Sequence, residues 1–392
     1  MIRLDLPQPD ADALAHSQRL RARIVDEIAA HGGAIPFSRY MELALYAPGL
    51  GYYSAGATKF GAAGDFITAP ELGPLFARAL ARGLAPVLAQ IEGGEVLELG
   101  GGSGAFAADA LTALAELGAT PTRYALLEPS ADLRQRQRQH LQARLPAELF
   151  ARVAWLDGLP EADWDGVLFA NEVLDALPIT RFVIGEEELG EEHVALDDAG
   201  RFIRVDRPAD ALLVQTVRSI EQALGRRLPP GYRSEALVQL PWWLQAVAAS
   251  LRRGLMLLVD YGYPREEFYL PERSDGTLVC YYRHRMLDDP FWMPGLTDIT
   301  AFVDFSAVAQ AGEQAGFELA GFASQAGLLL ACGVLDAMPA EPGDPRAMLA
   351  LAEQTRRLLL PGEMGERFKA IGLQRGVDAG ALFAEGDQRH RL

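Results

Sequence analysis

The chain has 392 residues, of which 49% are hydrophobic and 23% charged, and its formal net charge is −17. A polypeptide of this length can bury a large core, and its acidity argues against nucleic acid or anionic lipid as the main partner. No stretch approaches the roughly 20 uncharged residues of a membrane-spanning helix, and the first residues lack the basic and apolar segments of a signal peptide. The two cysteines, Cys280 and Cys332, share no metal-ligand spacing. We therefore expect a soluble cytoplasmic enzyme with buried free thiols, no metal site and no membrane insertion.

The N-terminal part is predicted to hold one helix followed by a long loop. Apolar residues recur at helical spacing over residues 13–32 and stop at two glycines, as at a helix end. A Gly- and Tyr-rich loop follows over residues 46–66. After it, Thr68 and Glu71 have the spacing of a capping box, which favours a helix that starts at this point.

Short apolar strands alternate with helical patterns from residue 96 to about residue 177. This alternation predicts a doubly wound α/β sheet, in which helices cover parallel strands on both faces. The strands are expected near residues 96–100, 123–128, 152–157 and 166–171.

The pattern changes between residues 179 and 253. Residues 181–205 alternate apolar and polar side chains around a turn at residues 198–200, which predicts an inserted β-meander followed by helices. A fifth core strand is expected at residues 254–262, an antiparallel hairpin at residues 316–333, and helices over roughly the last forty residues. We therefore divide the chain into an N-terminal extension (1–80), a first core half (81–180), an insertion (181–253) and a second core half with C-terminal helices (254–392).

The first predicted core strand runs into a glycine-rich loop with the spacing Glu98-x-Gly100-x-Gly102-x-Gly104. Glycines let the backbone turn sharply and approach a ligand closely, because no Cβ occupies the space above the loop. The spacing is typical of an S-adenosylmethionine pocket. With Ala105 it also satisfies the dinucleotide fingerprint G-x-G-x-x-G/A, so the glycines alone leave S-adenosylmethionine and NAD both open.

Carboxylates near the strand ends favour S-adenosylmethionine. Glu98, inside the strand, suits a cationic aminoacyl sulfonium better than an anionic pyrophosphate. Glu128 ends the second strand, where its carboxylate can accept both ribose hydroxyls of either cofactor. Asp157 and Gly158 follow the third strand, where they could reach an adenine edge or form only a turn.

Several longer motifs together resemble one known family. They are GDFITAPE (64–71), LELGGGSG (97–104), ANEVLDALP (170–178), VDYG (259–262) and PGEMGERF (361–368). The chain is similar to the MidA family of class I S-adenosylmethionine-dependent methyltransferases, whose mitochondrial members are protein arginine methyltransferases acting on a respiratory complex I subunit. The resemblance implies a Rossmann-like class I fold, S-adenosylmethionine as cofactor, and a protein substrate that presents an arginine.

The resemblance also bears on the segment before the core. It implies that Gly64, Asp65, Thr68 and Glu71 fold over the cofactor, although helix capping alone would explain Thr68 and Glu71. For the substrate, it implies the complex I subunit that bears the quinone-site histidines, with symmetric dimethylation of one arginine.

The acids expected to handle an arginine follow the fourth strand. Asn171 and Glu172 stand at the strand's carboxyl end, where α/β sheets bind ligands, and Asp175 lies in the next turn. A carboxylate from Glu172 or Asp175 would hold the guanidinium, localise its charge and leave one nitrogen facing the methyl donor. Alternatively, Asp175 caps a turn and Glu172 binds a structural arginine. His284, in YYRHRM, could line a substrate channel, although a lone histidine is more often a surface residue.

Three functions remain open on the sequence. The preferred one is a protein arginine N-methyltransferase. The second is a complex I assembly or binding factor that keeps the fold, with or without catalysis. The third is an NAD-dependent oxidoreductase, which the glycine spacing allows. The sequence leaves the oligomeric state open, a homodimer included.

Overall fold

The computed structural model describes residues 6–54, 68–338 and 344–392. Its helices are α1 (Ala11–Ala30), α2 (Phe37–Tyr46), α3 (Leu75–Leu88), α4 (Ala105–Glu116), α5 (Ala131–Arg144), α6 (Ala147–Phe150), α7 (Ala211–Leu224), α8 (Leu240–Ala248), α9 (Arg265–Phe268), α10 (Phe305–Gln314), α11 (Gln325–Ala331), α12 (Pro345–Leu359) and α13 (Met364–Arg367). Its strands are β1 (Ala34–Pro36), β2 (Glu95–Leu99), β3 (Tyr124–Leu127), β4 (Val153–Leu156), β5 (Trp164–Asn171), β6 (Thr180–Ile184), β7 (Leu189–Leu196), β8 (Phe202–Pro208), β9 (Arg233–Ala236), β10 (Leu251–Tyr263), β11 (Val279–Tyr282), β12 (Arg285–Leu287), β13 (Asp298–Thr300), β14 (Val303–Asp304), β15 (Glu318–Ser324) and β16 (Phe368–Arg375). Short 3-10 helices lie at Ala69–Leu72, Gly380–Phe383 and Arg389–Arg391. Within the described ranges, no helix is long and apolar enough to span a membrane.

The chain folds into two compact units, and each unit takes three segments of the chain. The core unit comprises Ile67–Val173, Leu240–Pro264 and Phe305–Leu392, and the insertion unit comprises Met1–Phe66, Leu174–Gln239 and Arg265–Asp304. These bounds differ from the predicted division at residues 80, 180 and 253. The N-terminal segment joins the insertion unit because β1 pairs antiparallel with β7, with Ile35 opposite Val194.

A mixed sheet with the strand order β15-β16-β10-β5-β2-β3-β4 forms the centre of the core unit. Strands β10, β5, β2, β3 and β4 run parallel to one another, whereas β16 is antiparallel to both β10 and β15. Every residue from Leu255 to Val259 of β10 is buried, as expected of a strand in a sheet covered by helices. The five predicted parallel strands and the α/β fold are therefore confirmed.

The C-terminal part of the core unit differs from the prediction in two places. The hairpin expected at residues 316–333 is wrong, because this segment holds one strand, β15, followed by helix α11. The helices expected over the last residues are interrupted by β16, which is the partner of β15. Two glycines that face each other in these strands, Gly321 and Gly372, allow this pairing. A Cβ on Gly321 would lie 2.3 Å from the ring of Phe383, and a Cβ on Gly372 would lie 2.5 Å from it. The absence of both side chains lets this ring pack onto the sheet.

The predicted capping box is also wrong. Thr68 makes no side-chain cap hydrogen bond, and residues Ala69–Leu72 form a 3-10 helix. The longer helix, α3, starts only at Leu75, after Pro74. Proline is tolerated at the start of a helix because the first turn needs no N–H donor from it.

Antiparallel sheets dominate the insertion unit. Its larger sheet has the order β1-β7-β6-β9, with β8 paired to β7, so the predicted β-meander is confirmed. Its smaller sheet has the order β12-β11-β13.

The larger sheet carries a buried charge cluster in which Arg181 lies 3.2 Å from Glu192 and 3.4 Å from Glu235, each 1% exposed. Replacing one of these residues alone would leave a buried charge without its partner, which would destabilise the fold.

Candidate functional site

The glycine loop joins β2 to α4 through a series of left-handed residues. Gly100, Gly102 and Gly104 have φ values of +64°, +52° and +84°. Side chains disfavour this region of φ, so glycine is the residue that adopts it without strain. The turn is tight, since a Cβ on Gly100 would lie 3.0 Å from Cγ2 of Val173. The loop thus ends where α4 begins, and the hydroxyl oxygen of Ser103 accepts a hydrogen bond of 3.2 Å from the N–H of Ala105, the first residue of this helix.

Glu98 lies under this loop, inside the sheet. Its side chain is buried, and the hydroxyl of Tyr124 on β3 donates to Oε2 across 2.7 Å. Burial raises the pKa of Glu98 to about 7, the hydrogen bond from Tyr124 opposes this increase, and the negative charge of Glu128 adds to it. The site therefore contains a carboxyl group that titrates near neutral pH.

Glu128 follows β3 directly and is also buried. Its Oε1 accepts a hydrogen bond of 2.9 Å from the backbone N–H of Ser130, which caps α5. Its Oε2 accepts one of 3.4 Å from Nε2 of Gln137. Both oxygens are thus held in position at the carboxyl end of the strand.

Asp157 and Gly158 follow β4, but the structure gives them different surroundings from Glu128. The Asp157 side chain is 92% exposed and pairs with Arg134 across 2.7 Å. A Cβ on Gly158 would meet no atom within 4 Å. Contact with an adenine edge stays a prediction for both residues, and the observed ion pair fits the simpler interpretation as a surface turn.

At the carboxyl end of β5, Asn171 and Glu172 have unusual local structure. The amide nitrogen of Asn171 donates to Oε1 of Glu172 across 3.1 Å, and its buried Oδ1 has no hydrogen-bond partner among the described residues. Glu172 has a φ of +53°, which is strained for a residue with a side chain. The turn is held by Asp260 on β10, whose Oδ2 accepts from the backbone N–H of Val173 across 3.2 Å. Such strain persists only where surrounding contacts enforce it, as they often do at functional sites.

Asp175 belongs to the insertion unit, where it lies close to a second acid. Asp175 is 5% exposed and Asp298 2% exposed. The hydroxyl of Tyr53 donates to Oδ1 of Asp298 across 3.1 Å. Burial raises the pKa of Tyr53 well above its ordinary value, and the charges of Asp298 and then Asp175 raise it further. Tyr53 also stacks on Tyr46, with ring centroids 5.6 Å apart.

The segment before α3 contributes Glu71 to the glycine loop. The hydroxyl of Ser103 donates to Oε1 of Glu71. This contact places Glu71 beside the loop, whereas Thr68 is buried. Gly64 and Asp65 lie outside the described residues.

His284 lies in the turn between β11 and β12, in the insertion unit. Arg283 and His284 form this turn with φ values of +46° and +61°, and both are exposed. The catalytic role of His284 stays a prediction, since its exposed position in a hairpin turn adds no support to it.

A cavity of about 590 Å³ in the core unit is distinct from these residues. It is lined by Gly93, Gly94 and Thr122, which precede β2 and β3. It therefore lies at the amino ends of the strands, opposite the edge that carries Glu98, Glu128 and the glycine loop.

Sequence patterns missed three buried polar residues near the predicted ones. Asp260 follows an apolar run and Asp298 starts one. This position in the sequence could have drawn attention to both acids. Gln137 had one signal, because it stands at helical spacing between Leu133 and Leu141, whereas the other glutamines of α5, Gln135, Gln139 and Gln142, lie off this line. The structure shows which contacts its amide makes.

The fold and the loop agree with a comparison against known families. A family model described as "Putative S-adenosyl-L-methionine-dependent methyltransferase" matches residues 79–323. The chain belongs to this family. The methyltransferase is 46% identical to a Burkholderia thailandensis protein whose crystal structure contains S-adenosyl-homocysteine, with a TM-score of 0.93 over 99% of this chain and 100% of that chain. The fold is thus that of a class I methyltransferase, and S-adenosylmethionine is the cofactor.

Curated relatives resemble the methyltransferase over most of its length. The mitochondrial protein arginine methyltransferase NDUFAF7 of Danio rerio is 28% identical, over 86% of this chain and 82% of its own. Its Drosophila melanogaster homologue is 26% identical, over 96% of this chain and 90% of its own. The Homo sapiens protein is 26% identical, over 87% of this chain and 80% of its own.

The core unit of the methyltransferase fits this cofactor. S-adenosylmethionine carries an ammonium group, two ribose hydroxyls and a sulfonium, so it needs acceptors and negative charge. The carboxyl ends of the strands offer the carboxylate of Glu128, the carboxyl group of Glu98, which is partly ionised near pH 7, and the Oδ1 of Asn171, which has no hydrogen-bond partner among the described residues. This set of acceptors suits a cationic ligand better than a pyrophosphate. Of the two cofactors that the glycines left open, NAD is therefore excluded by the family and disfavoured by the charges.

Proposed function

We propose that this methyltransferase methylates an arginine side chain of a protein substrate. The names of the relatives from Danio rerio and Homo sapiens support this activity. The structural observation that carries the proposal is the burial of two carboxylates, Asp175 and Asp298, near the hydroxyl of Tyr53. Two buried acids that lie near the same tyrosine are groups to which a guanidinium can donate paired hydrogen bonds.

The geometry of a guanidinium matches these groups. It is planar, carries five N–H donors and stays protonated at neutral pH, so it binds carboxylates through paired hydrogen bonds. The stacked rings of Tyr46 and Tyr53 add aromatic faces that attract a cation. We assign Asp175, Asp298 and Tyr53 to the acceptor side of the reaction.

In the core unit, Glu128 would accept the ribose hydroxyls of the cofactor, and Asn171 and Glu98 would accept from its ammonium group. Gly100, Gly102 and Gly104 leave room for the ligand above the loop, and Gly64, Asp65, Thr68 and Glu71 are assigned to its cover. When bound, S-adenosylmethionine supplies an electrophilic methyl group.

A protonated guanidinium is a weak nucleophile, so carboxylates must orient it and draw its charge away from the reacting nitrogen. We assign this role to Glu172, whose left-handed backbone is fixed at the edge of the sheet, together with Asp175. The proton leaves to a carboxylate or to water after the methyl group has been transferred.

We further propose that this methyltransferase acts in the cytoplasm on a subunit of respiratory complex I, which it dimethylates symmetrically on one arginine. This part rests on the resemblance to the MidA family. The overall charge of −17 supports a basic segment as the substrate. A homodimer is also consistent with this proposal and is tested by the mass of the protein in solution.

Methyl transfer from labelled S-adenosylmethionine tests the function. Peptides from the complex I subunit with the quinone-site histidines should be labelled when they contain arginine, and should not be labelled when that arginine is replaced by lysine. Glu172→Gln should bind the cofactor normally and lose transfer, since the amide cannot draw charge from the guanidinium. Glu187→Gln, in an exposed loop of the insertion unit, is the matched control.

Mass spectrometry then identifies the product. Symmetric dimethylarginine in the wild-type reaction supports the proposal. Labelling of lysine instead of arginine contradicts it, and so does full activity of Glu172→Gln. Tight binding of the subunit without any methyl transfer would instead indicate an assembly factor.

A further inference from the structure

We propose that Gln137 is a positioning residue for the cofactor site. Its buried amide holds the glycine loop, Glu128 and β4 in position relative to one another. Gln137 lies on α5 and its side chain is 0% exposed. It cannot touch solvent, so its amide must find partners inside the protein.

Its hydrogen-bond partners lie in the glycine loop, directly after β3 and on β4, near the carboxyl ends of the strands where the cofactor is expected to bind. Nε2 donates to the carbonyl oxygen of Gly102 across 3.0 Å and to Oε2 of Glu128 across 3.4 Å. Oε1 accepts from the indole Nε1 of Trp155 across 3.0 Å. Both donors and the acceptor of the amide are therefore used, each by a different segment of the core unit.

The loop also packs directly against this side chain. A Cβ on Gly104 would lie 3.5 Å from Cγ of Gln137, and one on Gly101 would lie 3.4 Å from its Nε2. The glycines thus bring the loop backbone onto the amide. The left-handed conformation of Gly102 leaves its carbonyl oxygen facing the amide nitrogen of Gln137.

The chemistry of the amide suits this position better than a carboxylate or an apolar side chain does. A carboxylate would keep the contact to Trp155, but it would place an acceptor against the Gly102 carbonyl and a negative charge against Glu128. An apolar side chain of similar length would fill the space and remove the hydrogen bonds to Gly102, Glu128 and Trp155 together. In either case the loop and Glu128 lose the contact that sets their relative position.

Calorimetric titration with S-adenosyl-homocysteine tests the role with the whole protein. We expect Gln137→Met and Gln137→Glu to weaken binding by roughly 10- to 100-fold, as lost buried hydrogen bonds allow. Trp155→Phe, which removes one of the three contacts, should have a smaller effect in the same direction. Gln135→Met is the matched control, because Gln135 lies on the same helix and is exposed.

Two further measurements separate positioning from mere stability. If Gln137 acts in part through Glu128, Gln137→Met should reduce affinity by a smaller factor in the Glu128→Ala protein than in wild type, because one of its three contacts is already gone. The affinity of Gln137→Glu relative to wild type should recover as pH falls, because a protonated carboxyl regains one donor. The pKa of Glu98 is raised to about 7, and this group titrates in both proteins, so only the ratio of their affinities reports on the introduced carboxyl group.

The proposal is overturned by a folded Gln137→Met protein that binds S-adenosyl-homocysteine as tightly as wild type. Strict additivity with Glu128→Ala overturns it as well, since Gln137 would then have no influence on Glu128. If Gln137→Met fails to fold, the pH-dependent ratio of Gln137→Glu and the affinity of Trp155→Phe decide, and unchanged values for both reject the role. Because the readout is cofactor binding, these outcomes do not depend on the arginine substrate.

Discussion

The hydroxyl of Tyr124 donates a hydrogen bond of 2.7 Å to the carboxyl group of Glu98 on the neighbouring strand. Both side chains are buried, and burial raises the pKa of Glu98 to about 7 in spite of this bond. In the unfolded chain the same carboxyl group has its ordinary pKa of 4.5. Folding and proton binding are therefore coupled at this position.

Stability should fall as pH rises from about 4.5 to about 7. In this range the folded protein keeps the Glu98 proton while the unfolded chain loses it, so a rise in pH favours unfolding. The contribution of Glu98 over the whole range is on the order of 3 kcal/mol. Urea unfolding of wild type and Glu98→Gln at several pH values measures it, since the amide cannot titrate. Parallel pH profiles for the two proteins would contradict the raised pKa.

Tyr124→Phe should extend this pH dependence to higher pH. The hydrogen bond from Tyr124 lowers the pKa of Glu98, so its loss raises that pKa further. The unfolding free energy of the variant should therefore keep decreasing above pH 7. In wild type, the contribution of Glu98 to the unfolding free energy no longer changes in that range. A profile that levels off at the same pH as wild type would show that the hydroxyl has no influence on this titration.

Glu128→Ala should weaken S-adenosylmethionine binding by roughly 2–4 kcal/mol, since two charge-assisted hydrogen bonds to the ribose would be lost. Calorimetry of the folded variant measures this change. Glu148→Ala, an exposed acid of the same unit on α6, should bind like wild type. Equal affinity of Glu128→Ala and Glu148→Ala would remove Glu128 from the cofactor site.

Gly102→Val should abolish cofactor binding, because the new side chain intrudes on the loop. The strain itself needs a control, since valine is disfavoured at a φ of +52°. Gly118→Val provides it: Gly118 has a φ of +70° and a Cβ there would meet no atom within 4 Å. Thermal unfolding should show losses of similar size for both variants, and only Gly102→Val should fail to bind S-adenosyl-homocysteine. Retained binding would make the loop structural.

Glu172→Gly should be more stable than Glu172→Ala by about 1 kcal/mol, because glycine adopts a φ of +53° without strain. Both variants lose the carboxylate, so neither should transfer methyl groups. Denaturant unfolding compares their stabilities, and the labelling assay compares their activities. A less stable glycine variant would mean that the backbone at this position is not strained, and an active one would remove Glu172 from the reaction.

The sequence predicts the parallel part of the core sheet well because those strands are continuous apolar runs followed by turns. It places Glu98, Glu128 and Glu172 at one edge for the same reason, since the carboxyl ends of parallel strands meet there. It fails at β16, where a lysine and a glycine interrupt the apolar pattern and the packing of Phe383 decides the pairing. The spacing of Gln137 with Leu133 and Leu141 indicates a buried position, but its contact with Trp155 joins two elements that no local spacing relates.

The place of β16 in the sheet also bears on how the protein is made. This strand lies between β10 and β15, although both are synthesised before it. The ribosome has therefore synthesised β2 to β5 and the whole insertion unit before β16 exists. Until then, the side of β10 that pairs with β16 has no partner strand. An unpaired edge of buried apolar residues is a template for wrong pairing with other chains. We expect nascent chains of this methyltransferase to depend on chaperones until residue 375 has emerged.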